Sequence, residues 1–111
     1  MIYDIQSEQE FDREVGEAKG WVLLDFFASW CRPCKMMAPV MERADEEMGG
    51  EVKFCRLDVD ALDDLAESFR LVGVPSFVLF KDGTEVGRII GYNDRQTFMG
   101  KLKALMAEKN N

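Results

Sequence analysis

The stretch Trp21-Val22-Leu23-Leu24-Asp25-Phe26-Phe27-Ala28-Ser29-Trp30-Cys31-Arg32-Pro33-Cys34-Lys35 decides the fold. Its first eight residues are too continuously apolar for a strand with one wet face, so they read as a strand buried on both faces at the centre of a sheet. Two cysteines separated by two residues follow at the start of a helical pattern. Such a pair either closes a small disulfide or opens to a dithiol. A helix N-terminus carries unsatisfied N–H groups and a partial positive charge, which favour the thiolate, the nucleophilic form of cysteine. Cys31 is therefore expected to be the exposed, attacking sulfur, and Cys34, one turn further on, the resolving one. Pro33 suits the first helical turn, where its missing N–H costs nothing, and it stiffens the loop that joins the sulfurs.

The competing reading of a Cys-x-x-Cys pair is half of a zinc site. The chain has no histidine, and its third cysteine, Cys55, stands alone in a different apolar run, so four Cys and His ligands cannot be assembled. Cys55 itself reads as an inert core thiol. Asp25 is the most informative charge in the sequence. A carboxylate inside a buried strand must be partnered or have its pKa raised, which makes a tunable proton donor and acceptor. The alternative is a structural carboxylate satisfied by backbone N–H groups.

Working outward, the 111 residues suffice for one domain with its own core, spanning 1–111, with order expected to fail only at the last few residues. Fourteen basic residues against 21 acidic ones leave a net charge of −7, which opposes nucleic-acid binding. The N-terminus lacks a basic segment followed by a long apolar one, and no apolar run reaches membrane-spanning length. The expectation is a soluble cytoplasmic protein, working as a monomer away from membranes.

Upstream, Ile2 and Ile5 bound a short edge strand, and Ser7 with Glu10 forms a capping box for a helix with Phe11, Val15 and Ala18 inward, ended by Gly20. Downstream of the cysteines, Met37, Val40, Met41, Ala44 and Met48 recur on one face of an amphipathic helix that Pro39 is expected to bend. Gly49-Gly50 closes it. Val52 to Val59 reads as a strand, followed by a helix capped by Asp60 with Leu62, Leu65, Ala66 and Phe69 inward. Phe77 to Phe80, a turn at Lys81-Asp82-Gly83 and a run through Val86, Ile89 and Ile90 read as a hairpin giving the sheet an antiparallel edge. Asn93 with Gln96 caps a last helix whose Phe98, Leu102, Leu105 and Met106 face inward. Strands alternating with helices make an α/β fold, a mixed sheet with helices on both faces.

With these motifs in place the chain resembles the thioredoxin family over nearly its whole length. Asp25 falls where the family keeps a buried aspartate, and Trp30 to Lys35 matches its W-C-x-P-C-K motif. Pro39 matches its helix proline, Val74-Pro75-Ser76 its cis-proline segment, and Gly83 and Gly91 its turn and late-strand glycines. The resemblance implies the thioredoxin fold and a protein-disulfide reductase needing no bound cofactor or metal, supplied with electrons by a thioredoxin reductase. It also implies that Trp30, Gly73, Val74, Pro75 and Gly91 surround Cys31 and receive disulfide-containing target proteins. Arg32 departs from the usual glycine, and a fixed cation there is expected to stabilise the Cys31 thiolate and shift the potential. Phe27 is often tryptophan in the family and Arg56 often lysine. If the strands pair as in the family, Arg56 lies beside Asp25 and favours its ionised form. The expected cycle is attack by Cys31, resolution by Cys34 and proton transfer by Asp25. An oxidant or isomerase would need a more strongly stabilised thiolate. An interaction module with incidental cysteines would have no use for Asp25 and Val74-Pro75.

Overall fold

The computed structural model describes residues 1–110, with side chains through residue 108, so the expected loss of order at the last few residues lies outside the described residues. Five strands, β1 (Ile2–Asp4), β2 (Trp21–Phe27), β3 (Val52–Asp58), β4 (Ser76–Lys81) and β5 (Thr84–Ile90), form one sheet in the order β1-β3-β2-β4-β5. The helices are α1 (Glu8–Phe11), α2 (Arg32–Met48), α3 (Asp63–Ser68) and α4 (Arg95–Asn110). The expected α/β architecture, the thioredoxin fold with a mixed sheet covered on both faces, is what forms.

Side-chain alternation along the strands divides the core. Trp21 and Leu23 of β2, with Phe54, Phe77, Leu79 and Ile89, pack under Met37, Val40, Met41 and Ala44 of α2 and Phe98, Leu102 and Met106 of α4. Val22, Leu24 and Phe26, with Cys55, Leu57, Val78 and Phe80, pack on the opposite face against Val15, Ala66 and Phe69. Every residue of β2 except Phe27 is buried, as its unbroken apolar run requires. By the same parity Asp25 belongs to the face covered by α2.

The antiparallel pairing begins further inside the sheet than the hairpin alone implies. β1 and β2 both run parallel to β3, whereas β4 runs antiparallel to central β2 as well as to β5. The connection through α3 does not retrace β3: the chain re-enters the sheet at the end where β3 finished, and β4 runs back. Its first residue, Ser76, pairs with Phe26 near the end of β2 and with Ile90 at the end of β5.

Several helix boundaries differ from the sequence reading. Ser7 caps α1 as expected, its side chain accepting from the Glu10 N–H, but the Glu10 carboxylate accepts from the Gln6 N–H, one residue outside the expected box. Past Phe11 the helix widens into a π-helical turn, Asp12–Gly16, and ends four residues before Gly20. There the Gly83 turn presses on it, for a Cβ at Gly83 would collide with the Gly16 carbonyl. Gly20, at φ +82, turns the chain into β2. α3 starts at Asp63 rather than after Asp60, because the Asp58 carboxylate already accepts the Asp60 N–H at 2.9 Å in a local turn and Asp60's own carboxylate is engaged elsewhere. α2 runs unbroken through Pro39. The cap of α4 is Asp94, whose Oδ1 accepts from the Thr97 N–H at 2.8 Å, while Asn93 turns inward.

The last point is checked by melting. Asp94→Ala should lower the melting temperature by several degrees, as the loss of an N-cap does. Gln96→Ala should leave it nearly unchanged. An equal loss in both variants would return the cap to the Asn93–Gln96 pair.

Candidate redox site

The sheet topology brings the expected site residues to one end of the molecule. β2 ends at Phe27, β3 ends at Asp58 beside it, β4 starts at Ser76, and β5 ends at Ile90. The segments just beyond those ends are the redox turn, the Gly73-Val74-Pro75 loop and Gly91.

Cys31 is the N-cap of α2, and its backbone is extended there (φ −89, ψ 111). Its Sγ accepts from the Cys34 N–H at 3.1 Å, so the sulfur stands where an unsatisfied helix N–H points. Pro33 lies in the first turn, where no N–H is needed. Cys31 and Cys34 form a disulfide, with their Cα atoms 5.3 Å apart. Placed in this way, a reduced Cys31 has its thiolate favoured by the helix dipole and by a backbone donor.

The expectation of an exposed attacking sulfur is not met in this oxidised form. Cys31 is only 4% exposed and Cys34 only 7%. Both pack with Ala28 against Phe27, Val59 and Val74. The neighbouring indole is the exposed group: Trp30 is 70% exposed, and its Nε1–H donates to the Asp60 carboxylate at 2.9 Å. Asp60 thus holds the tryptophan rather than a helix end, a role that sequence proximity could not reveal across thirty residues.

The bond between Val74 and Pro75 is cis, as the resemblance implied. The Val74 carbonyl oxygen lies 3.7 Å from Cys31 Sγ. Two hydrogen bonds fix the loop around it. Ser76 Oγ donates to the Gly73 carbonyl at 2.6 Å, and the Gly91 N–H donates to the Pro75 carbonyl at 2.8 Å. Gly91 has φ +79, a backbone conformation that only glycine adopts freely. Trp30, Gly73 and Val74 line a groove of about 380 Å³ with Val59, Ala66 and Leu71, and Asp63, Glu67 and Arg70 at its edges. Val72, between Gly73 and Leu71, is strongly exposed.

Asp25 is buried, and its Oδ1 has no hydrogen-bond partner among the described residues. Backbone N–H groups do not satisfy that oxygen. Arg56 stands opposite it in the β2–β3 register, with its Nε 3.9 Å from Asp25 Oδ2, and it also reaches Asp4. The guanidinium lies 4.0 Å over the Phe27 ring, so two departures from the family pattern touch each other. Burial pushes the Asp25 carboxyl up to about 7 against the opposing pull of Arg56. Desolvation therefore outweighs the partly solvated ion pair, and the group changes protonation near neutral pH.

Arg32 and Lys35 are exposed beside the cysteines. Cys55 is fully buried and its thiol is pushed up to about 11 by desolvation, as befits an inert core residue. Among the described residues no cluster of His, Cys, Asp and Glu could hold a metal ion, and no helix is long and apolar enough to cross a membrane.

The Thioredoxin family model matches residues 3–104. The thioredoxin of Mycobacterium bovis is 36% identical over 104 residues, covering 94% of this chain and 90% of that protein. Thioredoxin-1 of Saccharomyces cerevisiae is 39% identical over 93 residues (84% and 88%), and the thioredoxin of Listeria monocytogenes 40% over 96 (86% and 90%). A helix-capping Cys-x-x-Cys disulfide, a cis-proline loop against it and a buried carboxyl on the same sheet, together with these likenesses, make the chain a thiol–disulfide oxidoreductase that belongs to the thioredoxin family.

Proposed function

We propose that this protein works in the reducing direction on disulfides of other proteins. The single observation that carries the role assignment is Cys31 at the N-cap of α2, with its sulfur on a backbone N–H. In the dithiol form the Cys31 thiolate attacks one sulfur of a target disulfide. A Cys31–target disulfide forms, and the other target sulfur leaves as a thiolate that takes up a proton. Cys34 then loses its proton and attacks Cys31 Sγ. The Cys31–Cys34 disulfide closes, the second target thiol is released, and two electrons have passed to the target. Asp25 takes up the Cys34 proton through a water, a task suited to a buried carboxyl poised at about 7.

The target's extended backbone lies against Trp30, Gly73, Val74, Pro75 and Gly91. The nearly buried setting of the cysteine pair beside this surface favours target segments that can lie flat against it. Arg32 and Pro33 tune the thiolate, and Arg56 tunes Asp25 through its charge. A thioredoxin reductase restores the dithiol. We place the protein in the cytoplasm as a single-domain monomer, since a reducing compartment is where a dithiol donor works.

Cys31→Ser should abolish reduction of a protein disulfide such as that of insulin. Cys34→Ser should instead accumulate mixed disulfides that survive on a gel run without reductant. Absence of any adduct would reverse or dissolve the division of labour between the two sulfurs.

Asp25 binds a proton more readily folded than unfolded, its pKa standing at about 7 against 3.8. Its contribution to stability is therefore present at low pH and is lost as pH rises from near 4 through 7. Asp25→Asn should be more stable than the parent at pH 8, by on the order of a few kcal/mol, with the gap closing toward pH 4. Its exchange rate should be slower and should lose the inflection near pH 7. Parallel denaturation curves at all pH values would remove Asp25 from the proton path.

Arg32→Gly should raise the Cys31 pKa slightly and make the protein slightly more reducing, with a difference that shrinks as salt is added. Thiolate absorbance titration and glutathione equilibration measure the two effects. A pKa that stays put or falls in the glycine variant would show that Arg32 does not act on the sulfur.

A further inference from the structure

Asn93 is the buried polar side chain left unexplained by the redox cycle. It is 7% exposed, and it is not the helix cap that its position suggests, since Asp94 fills that role. Both ends of its side-chain amide are nevertheless engaged. The Nδ2 amide donates to the Gly91 carbonyl at 3.2 Å and reaches the Ile90 carbonyl at 3.5 Å. Its Oδ1 accepts from Lys101 Nζ of α4 at 2.9 Å, and its backbone N–H donates to Met37 Sδ of α2 at 3.4 Å. The orientation of the amide is fixed by these partners, because carbonyls only accept and an ammonium only donates.

The contacts converge on the two peptide units that flank Gly91. Gly91 gives its carbonyl to Asn93 and its N–H to the Pro75 carbonyl at 2.8 Å, and Pro75 adjoins Val74, whose oxygen is 3.7 Å from Cys31 Sγ. A glycine at positive φ has no side chain to hold it in place, so its conformation depends on what its two backbone polar groups find. Met37 meanwhile lies three residues beyond Cys34 on the helix that carries the disulfide. We propose that Asn93 is a positioning residue for target recognition: itself anchored by Lys101 and Met37, it holds the Gly91 carbonyl while Pro75 holds the Gly91 N–H, and so keeps the cis-proline loop and Gly91 at the spacing that an extended target backbone requires. The inference rests on the reading that the target lies against these two segments.

A small disulfide needs the sulfur but not the cradle, and this separates positioning from general damage. Fully reduced protein is mixed with increasing insulin, or with a small aromatic disulfide, and the limiting rate and half-saturating concentration are measured for each. Asn93→Asp keeps a partner for Lys101 but cannot donate to Gly91 when ionised. Asn93→Leu fills the buried site without any polar demand, so that folding does not depend on the network. Both should raise the half-saturating insulin concentration by about three- to ten-fold, the effect of one lost hydrogen bond, while the rate with the small disulfide moves less than two-fold. Trp30→Ala and Val74→Asp, measured in the same way, test the contact surface itself. If they raise the insulin value and the Asn93 variants do not, the surface stands and the role of Asn93 falls. If none of the four raises it, the surface and the role of Asn93 fall together. Equal losses on both disulfides in the Asn93 variants would also overturn the proposal, by showing damage to the dithiol itself.

Discussion

The pairing of Ser76 with both Phe26 and Ile90 is the constraint on which the rest depends. It fixes where β4 begins, and so sets the cis Val74-Pro75 loop beside the turn that follows β2 and brings Gly91 within reach of Pro75. A shift of one residue would send every β4 side chain to the wrong face, taking Phe77 and Leu79 away from α2 and α4 and exchanging them for Val78 and Phe80. The core thus enforces the site's register. The redox turn, the loop and the glycine need no direct recognition of one another to meet, because hydrophobic burial on both faces of the sheet brings them together.

Within that frame the chemistry is set by a few local environments. Helix α2 begins at the sulfur, so its unsatisfied N–H groups and dipole act on Cys31, while Cys34 sits inside the first turn. Asp25 is on the face that α2 covers, where desolvation dominates. Arg56 reaches it only at 3.9 Å while also serving Asp4, which explains why the ion pair moderates the raised pKa without reversing it. A carboxyl whose pKa is raised toward neutrality is equipped both to give and to take a proton there. Arg56 also stacks on Phe27 and keeps its guanidinium partly in water, which weakens its hold on Asp25.

Cys31 and Cys34 also differ from many surface thiols in how little of them meets solvent. Their neighbours supply the exposure instead: Trp30 and Val72 offer apolar surface, with the indole tethered by Asp60.

The sequence by itself determined the order of the strands and helices, the central position of Trp21 to Ala28, the redox pair, the burial of Asp25 and the inward faces of α2 and α4. These are properties of spacing over a few residues, where periodicity of apolar side chains and the chemistry of a helix start are encoded locally. The family resemblance supplied the cis-proline loop, Gly91 and the nearness of Arg56 to Asp25. Only the tertiary structure decided the direction of β4 against β2, the tether of Trp30 to Asp60, the nearly buried state of the sulfurs and the inward turn of Asn93. Asn93 and Asp60 both stand where a cap is expected, and local pattern alone cannot separate a capping side chain from one drawn to a distant partner. Their carboxamide and carboxylate were claimed by Gly91, Lys101 and Trp30, groups that approach only once the sheet and α4 are in place. That competition between near and far hydrogen-bond partners is resolved by tertiary packing: burial draws Asn93 to carbonyls shielded from water, while the fold brings the Trp30 indole within reach of Asp60 at the surface.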